Sequence, residues 1–288
     1  MNYSSHRIER ERGDPIPVVY DSPHSGSIYP DDFDHVLERA VLRRSEDAHV
    51  DELYAHVVDD GAPLLHALFP RCYVDPNRSE FDIDIDMIDG PWDGVATPTS
   101  KSTVRGVGLI WRQVKVFGTI YDRKLTADEV RVRIERFWRP YHEALESLLD
   151  ERVARFGRVY HINCHSMAAS GDRTTEDGLR DRPDFVIGDL DGTACEPGLT
   201  DLIVETLRGI GHSVAVNDPY KGFELTRRYS DPAKGRHSIQ IELNRKLYMD
   251  EKNLSKAQGF FAAQGSLRTL SAAIKRYALE KMRYTNPR

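Results

Sequence analysis

The chain has 288 residues, of which 40% are apolar, so it is long enough and apolar enough to bury a large core. Its formal net charge of -6 and its sequence pI of about 6.0 argue against general affinity for nucleic acids or anionic membranes, because both attract basic surfaces. The expected partner is therefore a small molecule.

The N-terminal sequence and the cysteines indicate the compartment. The residues from Arg7 to Arg12 are mostly charged and lack the apolar core of a signal peptide, and no apolar run approaches the roughly 20 residues of a membrane span. Cys72, Cys164 and Cys195 are widely spaced, which indicates neither a disulfide framework nor a cysteine zinc site. We expect a soluble cytoplasmic protein, and the sequence does not indicate its oligomeric state.

Short β-type runs alternate with helical runs, a pattern typical of an α/β fold in which helices cover a parallel or mixed sheet. We expect one domain over residues 1–288, with a C-terminal helical segment over about 253–283. The β-type runs cover 18–20, 63–69, 71–74, 159–163, 185–187, 213–216 and 238–243.

Capping residues and amphipathic spacing predict the helices. They are expected from Ser45 to near Gly61, from Thr126 through Phe137 to a kink or restart at Pro140 and on over 141–155, and over 199–207. The aspartate-rich stretch 79–105 is predicted to be a long, solvated, irregular loop, because it lacks the glycine and the terminal glutamate of a calcium-binding loop.

The first apolar run leads into Ser-Pro-His-Ser-Gly at 22–26. In open α/β sheets, ligands bind outside the carboxyl ends of the strands, so His24 is predicted to be a metal ligand or a general base. The alternative is a turn histidine bonded to a backbone carbonyl.

Two acids follow in the first predicted helix. Asp47 and Asp51 stand four residues apart and are expected on one helix face. Two carboxylates on one face repel each other unless a cation or an arginine lies between them. The alternative is that both are capping charges, since the helix dipole favours acids in a first turn.

A third constellation lies on the run around residue 161. Strand alternation puts His161, Asn163 and His165 on one face and Cys164 on the other. His165, at the strand end, is the predicted ligand, and His161 is expected to be a hydrogen-bonded core histidine. Cys164 is expected to be a buried thiol, because adjacent strand residues cannot form a catalytic Cys-His pair.

The last run carries Glu242 among apolar residues. A buried glutamate is costly unless it is paired, so Glu242 is either catalytic or salt-bridged, for instance to Arg245 or Arg236. Two histidines, an acid and a spare glutamate are typical of a catalytic zinc site, in which three protein ligands leave one position open and a base takes a proton from water.

Arginines in turn-like segments fit an anionic substrate. Arg78, Arg227 and Arg228 are candidates, because a guanidinium binds a carboxylate through two parallel hydrogen bonds. The alternative for these arginines, above all for Arg78, is that they brace the acidic loop.

Taken in chain order, these residues resemble the N-formylglutamate amidohydrolases, also called N-formylglutamate deformylases. The similarity covers most of the chain, and the set is specific although no single motif is. The matching segments are 22–26 (SPHSG), 29–30, 47–54 (DAHVDELY), 75–78 (DPNR), 138–142 (WRPYH), 164–166 (CHS), 183–184 with 188 (PDFVIG), 221–222, 226–227 with 229, and 242 with 248–251 (YMDE).

The resemblance implies a mixed, mostly parallel sheet flanked by helices, similar to that of zinc carboxypeptidases and aminoacylases. It also implies metal-dependent hydrolysis of N-formyl-L-glutamate to L-glutamate and formate, as in histidine breakdown. His24 and His165 would bind Zn2+ or another divalent metal, with Asp47 as the third ligand and Asp51 as its alternative. Glu242 would be the general base.

The resemblance also implies that Arg227 binds a substrate carboxylate, but the chain departs from the family pattern at three places. It has Ser-Glu-Asp-Ala at 45–48 where the pattern has Asp-Thr-Asp-Trp, and Asn-Cys-His-Ser at 163–166 where the pattern has Asp-Cys-His-Ser. It also has Gly-Phe at 222–223 with Thr-Arg-Arg-Tyr at 226–229, where the pattern has Gly-Gly with Thr-Arg-His-Tyr. The added charge of Arg228 leaves open a metallo-amidase or peptidase for another acidic amide. A non-catalytic protein that binds the metal and an acyl amino acid is the other alternative.

Overall fold

A computed structural model describes residues 4–97, 100–114, 117–173, 175 and 177–285 of the chain. Seven strands of this described part form one sheet, in the order β1-β3-β2-β4-β7-β5-β6 when the strands are numbered along the chain. They are β1 (His6–Glu9), β2 (Val18–Ser22), β3 (Leu64–Ala67), β4 (Val159–Met167), β5 (Phe185–Gly188), β6 (Val214–Val216) and β7 (Arg236–Asn244).

The middle of the sheet is parallel. β4 runs parallel to β2 on one side and to β7 on the other, and β5 runs parallel to β6. β7 and β5 are antiparallel. β4 and β7 are almost entirely buried, as expected for strands covered on both faces. The prediction of a mixed, mostly parallel sheet flanked by helices is confirmed.

The predicted run 71–74 is not a strand. The amide of Tyr73 donates to the carbonyl of Pro70, and Arg71 bonds to Asp75 four residues later, so this stretch forms turns. Its apolar residues are buried without belonging to a ladder.

The helices of the described part vary widely in length. They are α1 (Arg39–Leu42), α2 (Val50–Tyr54), α3 (Lys101–Val104), α4 (Ala127–Arg133), α5 (Arg139–Phe156), α6 (Pro197–Gly209), α7 (Glu224–Tyr229) and α8 (Phe260–Thr285), with a π-helical turn at Ile134–Trp138 and 3-10 turns at Arg43–Ser45, Ala55–Val58, Ile85–Met87, Pro232–Lys234 and Arg245–Leu247. Two short ladders pair Ile88–Asp89 with Leu125–Thr126 and Gln113–Val114 with Gly118–Thr119. No helix among the residues described is both long and apolar enough to cross a bilayer.

The prediction that a helix begins at Ser45 is wrong. The hydroxyl of Ser45 donates to the carbonyl of Leu42 and closes the preceding 3-10 turn. His49, with a φ of 67°, is the residue before α2, which begins only at Val50. Asp47 therefore precedes the helix, and the prediction that Asp47 and Asp51 share one helix face is wrong as well.

The other predicted helices agree better with the structure. Thr126 caps α4 in a capping box with Glu129, and a new α-helix begins at Arg139, which confirms the restart predicted at Pro140. The C-terminal helix begins at Phe260, later than predicted, because the preceding residues form other bonds: Met249 and Lys256 form a β-bridge, and the amide of Ala257 donates to the carbonyl of Tyr248 over 2.9 Å.

The acidic stretch 79–105 is less solvated than predicted. Asp82 is buried, and Asp84 pairs with Arg112 over 2.7 Å. The stretch also contains a 3-10 turn and α3, so it is only partly irregular. Residues 98 and 99 lie outside the described residues.

The chain divides into two compact units. One includes Pro23–Ala48 and His66–Ala144, with α1, α3, α4 and both short ladders. The other includes Ile8–Ser22, His49–Leu65 and the chain from Leu145 onward, with most of the sheet. A single domain over residues 1–288 stays a prediction.

The faces of β4 follow the predicted alternation. Tyr229 of α7 packs edge-on against His161, with ring centroids 6.4 Å apart. Cys164 points to the opposite face, where Tyr54 of α2 interacts with its thiol. Burial raises the pKa of Cys164 well above its ordinary value, and the prediction of a buried thiol is confirmed.

Candidate active site

His24 lies on the loop that leaves the carboxyl end of β2, and its side chain is buried. Gly26 allows this loop to approach a neighbouring segment closely, since a Cβ there would stand 2.3 Å from the carbonyl oxygen of Phe69. The amide of Ile28 donates to the carbonyl of Leu68 over 2.8 Å. The loop therefore packs against the backbone at Leu68 and Phe69, and the side chain of His24 is buried.

The ring of His24 is fixed by Asp75. Nε2 of His24 donates to Oδ1 of Asp75 over 2.7 Å. The partner of this nitrogen is therefore a side-chain carboxylate, whereas the alternative prediction is a backbone carbonyl. Asp75 also accepts from Arg71 (2.9 and 3.1 Å), from the amide of Asn77 (2.9 Å) and from the indole of Trp111 (3.2 Å).

These contacts decide the charge of Asp75. Burial alone would favour its neutral form, but the positive charge of Arg71 and the interaction with His24 hold the pKa of Asp75 well below its usual range. An ionised carboxylate only accepts hydrogen bonds, so Nε2 of His24 carries the proton. In the neutral ring, Nδ1 then has the lone pair that a metal ligand needs.

The turn that carries Asp75 is held by side chains from the π-helical turn at Ile134–Trp138 and from α5. His142 bonds through Nε2 to the carbonyl of Pro76 over 2.9 Å, and the indole of Trp138 donates to the carbonyl of Arg78 over 3.1 Å. The two rings stack on each other with centroids 3.7 Å apart. The WRPYH segment therefore positions the Asp75–Arg78 turn.

Asp47 is tied to the same loop as His24. Its amide donates to the carbonyl of His24 over 2.9 Å, and its Oδ2 lies 3.4 Å from Nδ1 of His24. The preceding residue, Glu46, is buried and accepts from Tyr29 (2.8 Å) and Arg43 (3.1 Å). The backbone of Glu46 is extended, with a φ of -73° and a ψ of 150°, so the 3-10 turn at Arg43–Ser45 does not continue as a helix.

His165 lies near the carboxyl end of β4. Its Nε2 bonds to Oδ1 of Asn163 over 2.8 Å, and Nδ2 of Asn163 donates to Oδ1 of Asp21 over 2.7 Å. His161 bonds to Asp21 (2.9 Å) and to Ser238 (2.8 Å), which confirms the prediction of a hydrogen-bonded core histidine.

Glu242 stands beside His165, since the two are register partners in the parallel β4-β7 ladder and their side chains share a face. Gln240 donates to Oε1 of Glu242 over 2.9 Å. Burial and the charge of Glu242 raise the pKa of Tyr220 to about 12, and the guanidinium carbon of Arg182 lies 5.2 Å from the centroid of the Tyr220 ring. Glu242 thus accepts from Gln240 and lies near enough to Tyr220 to influence its pKa.

The two arginines predicted as alternative salt-bridge partners of Glu242 have other contacts. Arg236 pairs with Asp150, and Nε of Arg245 donates to the hydroxyl of Ser166 over 3.1 Å.

Three of the predicted residues converge. The ligand atoms of His24, Asp47 and His165 all lie within 4.8 Å of one another, and all three side chains are buried. Two imidazole nitrogens and a carboxylate oxygen are donors typical of catalytic zinc sites. Among the residues that the structure describes, Asp51 is not a member of this group and lies half-buried in the first turn of α2.

Comparison with known proteins identifies the family. A sequence model described as N-formylglutamate amidohydrolase matches residues 16–249. The chain belongs to the N-formylglutamate amidohydrolase family. It is 29% identical to the N-formylglutamate deformylase of Pseudomonas putida over 243 residues, and this alignment covers 82% of this chain and 83% of that protein. With the N-formylglutamate deformylase of Pseudomonas aeruginosa it shares 26% identity over 269 residues, 93% of this chain and 92% of that one.

A solved structure agrees along the whole chain. The crystal structure of N-formylglutamate amidohydrolase from Ralstonia eutropha JMP134 superimposes with a TM-score of 0.90 at 44% identity, covering 99% of this chain and 100% of that one.

The three arginines predicted to bind substrate form hydrogen bonds within the chain. Arg227 and Arg228 both bond to the buried carboxylate of Glu224, whose pKa is lowered because these hydrogen bonds outweigh the effect of burial. Arg78 donates to the carbonyls of Val107 (3.0 Å) and Asn77 (2.9 Å). A role in substrate binding stays a prediction for all three arginines.

Sequence reasoning missed the side chains that orient the two histidines. Asp75 lies in the DPNR segment, where only Arg78 is predicted to act, and Asn163 is predicted only to share a face with His165. Asp21, on β2, is not among the predicted residues. An acid at the end of one strand and an amide two residues before a strand-end histidine are the signals that point to them.

Proposed function

We propose that this chain is a metal-dependent amidohydrolase that converts N-formyl-L-glutamate to L-glutamate and formate. The observation that carries the proposal is the convergence of His24, Asp47 and His165 within 4.8 Å in a chain of this family. The names of the relatives from two Pseudomonas species and from Ralstonia support the substrate.

The side chains fit a divalent metal. Two imidazoles and one carboxylate suit Zn2+, and also cobalt, manganese or iron, so zinc is the proposed metal and another divalent ion is its alternative. The second ring nitrogen of each histidine is hydrogen-bonded, to Asp75 in one case and to Asn163 in the other. Such outer contacts are the usual support of metal-binding histidines.

When bound, a divalent cation would polarise the formyl carbonyl and lower the pKa of a water molecule. Glu242 would accept the proton of the attacking water and deliver it to the nitrogen of the leaving amino acid. Its position beside His165 in the ladder and the bond from Gln240 support this role, because the carboxylate lies on the same sheet face as one of the proposed ligands.

The substrate carboxylates would bind to arginine. Arg227 is the main candidate, because its side chain is 64% exposed and a substrate carboxylate could join or replace Glu224 as its partner. Arg228 and Arg78 are the further candidates. The proposed setting, on the strength of the family resemblance, is histidine breakdown in the cytoplasm.

A panel of amides tests the substrate. Purified protein is incubated with N-formyl, N-acetyl and N-succinyl derivatives of glutamate, aspartate and glutamine, and release of the free amine is measured. The proposal predicts the highest kcat/KM for N-formyl-L-glutamate. A clear preference for another acidic amide would replace the substrate but keep the chemistry, whereas metal and ligand binding without any release would favour a binding protein.

A further inference from the structure

A buried chain of hydrogen bonds crosses three neighbouring strands and ends at His165. It runs from Ser238 to His161 (2.8 Å), from His161 to Asp21 (2.9 Å), from Asp21 to Asn163 (2.7 Å) and from Asn163 to His165 (2.8 Å). The first four side chains are fully buried and His165 is nearly so. Asp21 is the acid in the middle of this chain.

The direction of the chain follows from the chemistry of Asp21. Nδ2 of Asn163 can only donate, so Oδ1 of Asp21 accepts from it. The amide of Asn163 must then turn its Oδ1 towards His165, and Nε2 of His165 must carry the proton. Nδ1 of His165 keeps its lone pair.

We propose that Asp21 is a positioning residue that sets the tautomer of His165 through Asn163. An asparagine amide has almost the same shape in its two flipped orientations, so Asn163 alone cannot select a tautomer, and the acceptor on its far side must do so. The inference rests on the proposed function for its purpose, because a metal ligand needs the lone pair on a defined nitrogen.

His24 shows what the same task requires elsewhere in the chain. There the carboxylate of Asp75 accepts directly from the ring. At His165 a neutral amide stands between ring and carboxylate, so the acid lies one residue further away. Asp21 therefore acts on its histidine through Asn163, whereas Asp75 acts on its histidine directly.

Asp21→Asn is the test variant, because it keeps the size of the side chain and removes the acceptor-only character. The tautomer of His165 is measured by 15N NMR of the ring nitrogens in metal-free protein, at a pH where imidazole is neutral. We expect one tautomer, with the proton on Nε2, in the wild type and a mixture in Asp21→Asn. We also expect metal affinity, measured by competition with a chelator, to fall by about 10–100-fold.

Two further variants separate positioning from general loosening. Asp21→Asn combined with Asn163→Asp again provides an acceptor-only group, now next to His165, and should restore the single tautomer and most of the affinity. Ser238→Ala removes a buried partner of His161 but leaves Asp21 unchanged, so it should lower stability without changing the tautomer.

The outcomes distinguish this inference from the proposed function. A wild-type tautomer and wild-type affinity in Asp21→Asn would overturn the inference and leave the metal site standing, and so would a tautomer shift of equal size in Ser238→Ala. A tautomer shift in Asp21→Asn that is reversed in the double variant would support the inference, whether or not the wild-type protein binds metal. Absence of metal binding by the wild-type protein would overturn the proposed function.

Discussion

His24 and His165 offer the same kind of ring nitrogen from two different local structures. His165 belongs to a fully buried strand, so the ladder aims its side chain, and the ring contacts a neutral amide that is itself bonded to Asp21. His24 lies on a loop, and its ring is held by a carboxylate that four further hydrogen bonds fix in place. The comparison indicates that a ligand on a loop needs more support from side chains than a ligand on a strand.

The largest effect is expected from removing either ring. His24→Ala and His165→Ala each remove one of three proposed ligands. In both variants, metal affinity and the rate of formate release should fall by more than the roughly 10–100-fold that is typical when a hydrogen-bond partner of a ligand is removed. Metal analysis and the formate assay on the purified variants measure this. Asp51→Asn is the control and should retain metal, whereas wild-type metal content in His24→Ala would remove His24 from the site.

Loss of the base should separate turnover from metal binding. Glu242→Gln keeps the shape of the side chain, so we expect unchanged metal content and a fall in kcat of about 10²–10⁴-fold, the usual contribution of a general base. Steady-state kinetics with parallel metal analysis provide the measurement. Full activity in this variant would rule out the proposed role of Glu242.

The support of the loop histidine can be tested at its carboxylate. Asp75→Asn leaves Arg71 without its charged partner and removes the acceptor-only group, so we expect metal affinity to fall by about 10–100-fold. The loss should be at least as large as that in Asp21→Asn, because Asp75 contacts its histidine directly. Chelator competition measures both, with Trp111→Phe as a milder control that removes one donor; a smaller loss in Asp75→Asn than in Asp21→Asn would contradict the comparison.

The smallest effect is expected from the backbone of the His24 loop. A Cβ at Gly26 would meet the backbone at 2.3 Å, so Gly26→Ala should lower the free energy of unfolding by about 1–3 kcal/mol and weaken metal binding. Gly209→Ala is the matched control, because no heavy atom lies within 4 Å of a Cβ there. Denaturant unfolding gives the stability, and equal losses in the two variants would mean that the contact at Gly26 is unimportant.

The sequence predicts the strands and the strand-end histidines well because these depend on local patterns. The apolar run before His24 and the alternation around His165 are visible in a few residues, and both side chains lie where those patterns indicate. The prediction for Asp47 depends on a helix that the structure contradicts. Asp47 still joins the two histidines, because its amide bonds to the carbonyl of His24 rather than to a helix.

What the sequence could not predict depends on distant contacts. Asp75 lies 51 residues from His24, and Asn163 lies 142 residues from Asp21, so no local pattern connects them. The turn at 71–74 is a different case, because the bonds that form it, from Tyr73 to Pro70 and from Arg71 to Asp75, span only three and four residues. Orientation of a ring is a property of the folded chain, whereas the presence of a ring at a strand end can be read locally.

The most direct test of the central claim measures metal and turnover in one preparation. Native protein is analysed for divalent metal, assayed for formate release from N-formyl-L-glutamate, depleted with a chelator, and assayed again after metal is returned. We predict stoichiometric metal, loss of activity on depletion and recovery on addition of Zn2+ or another divalent ion. Undiminished formate release from fully metal-free protein would contradict it.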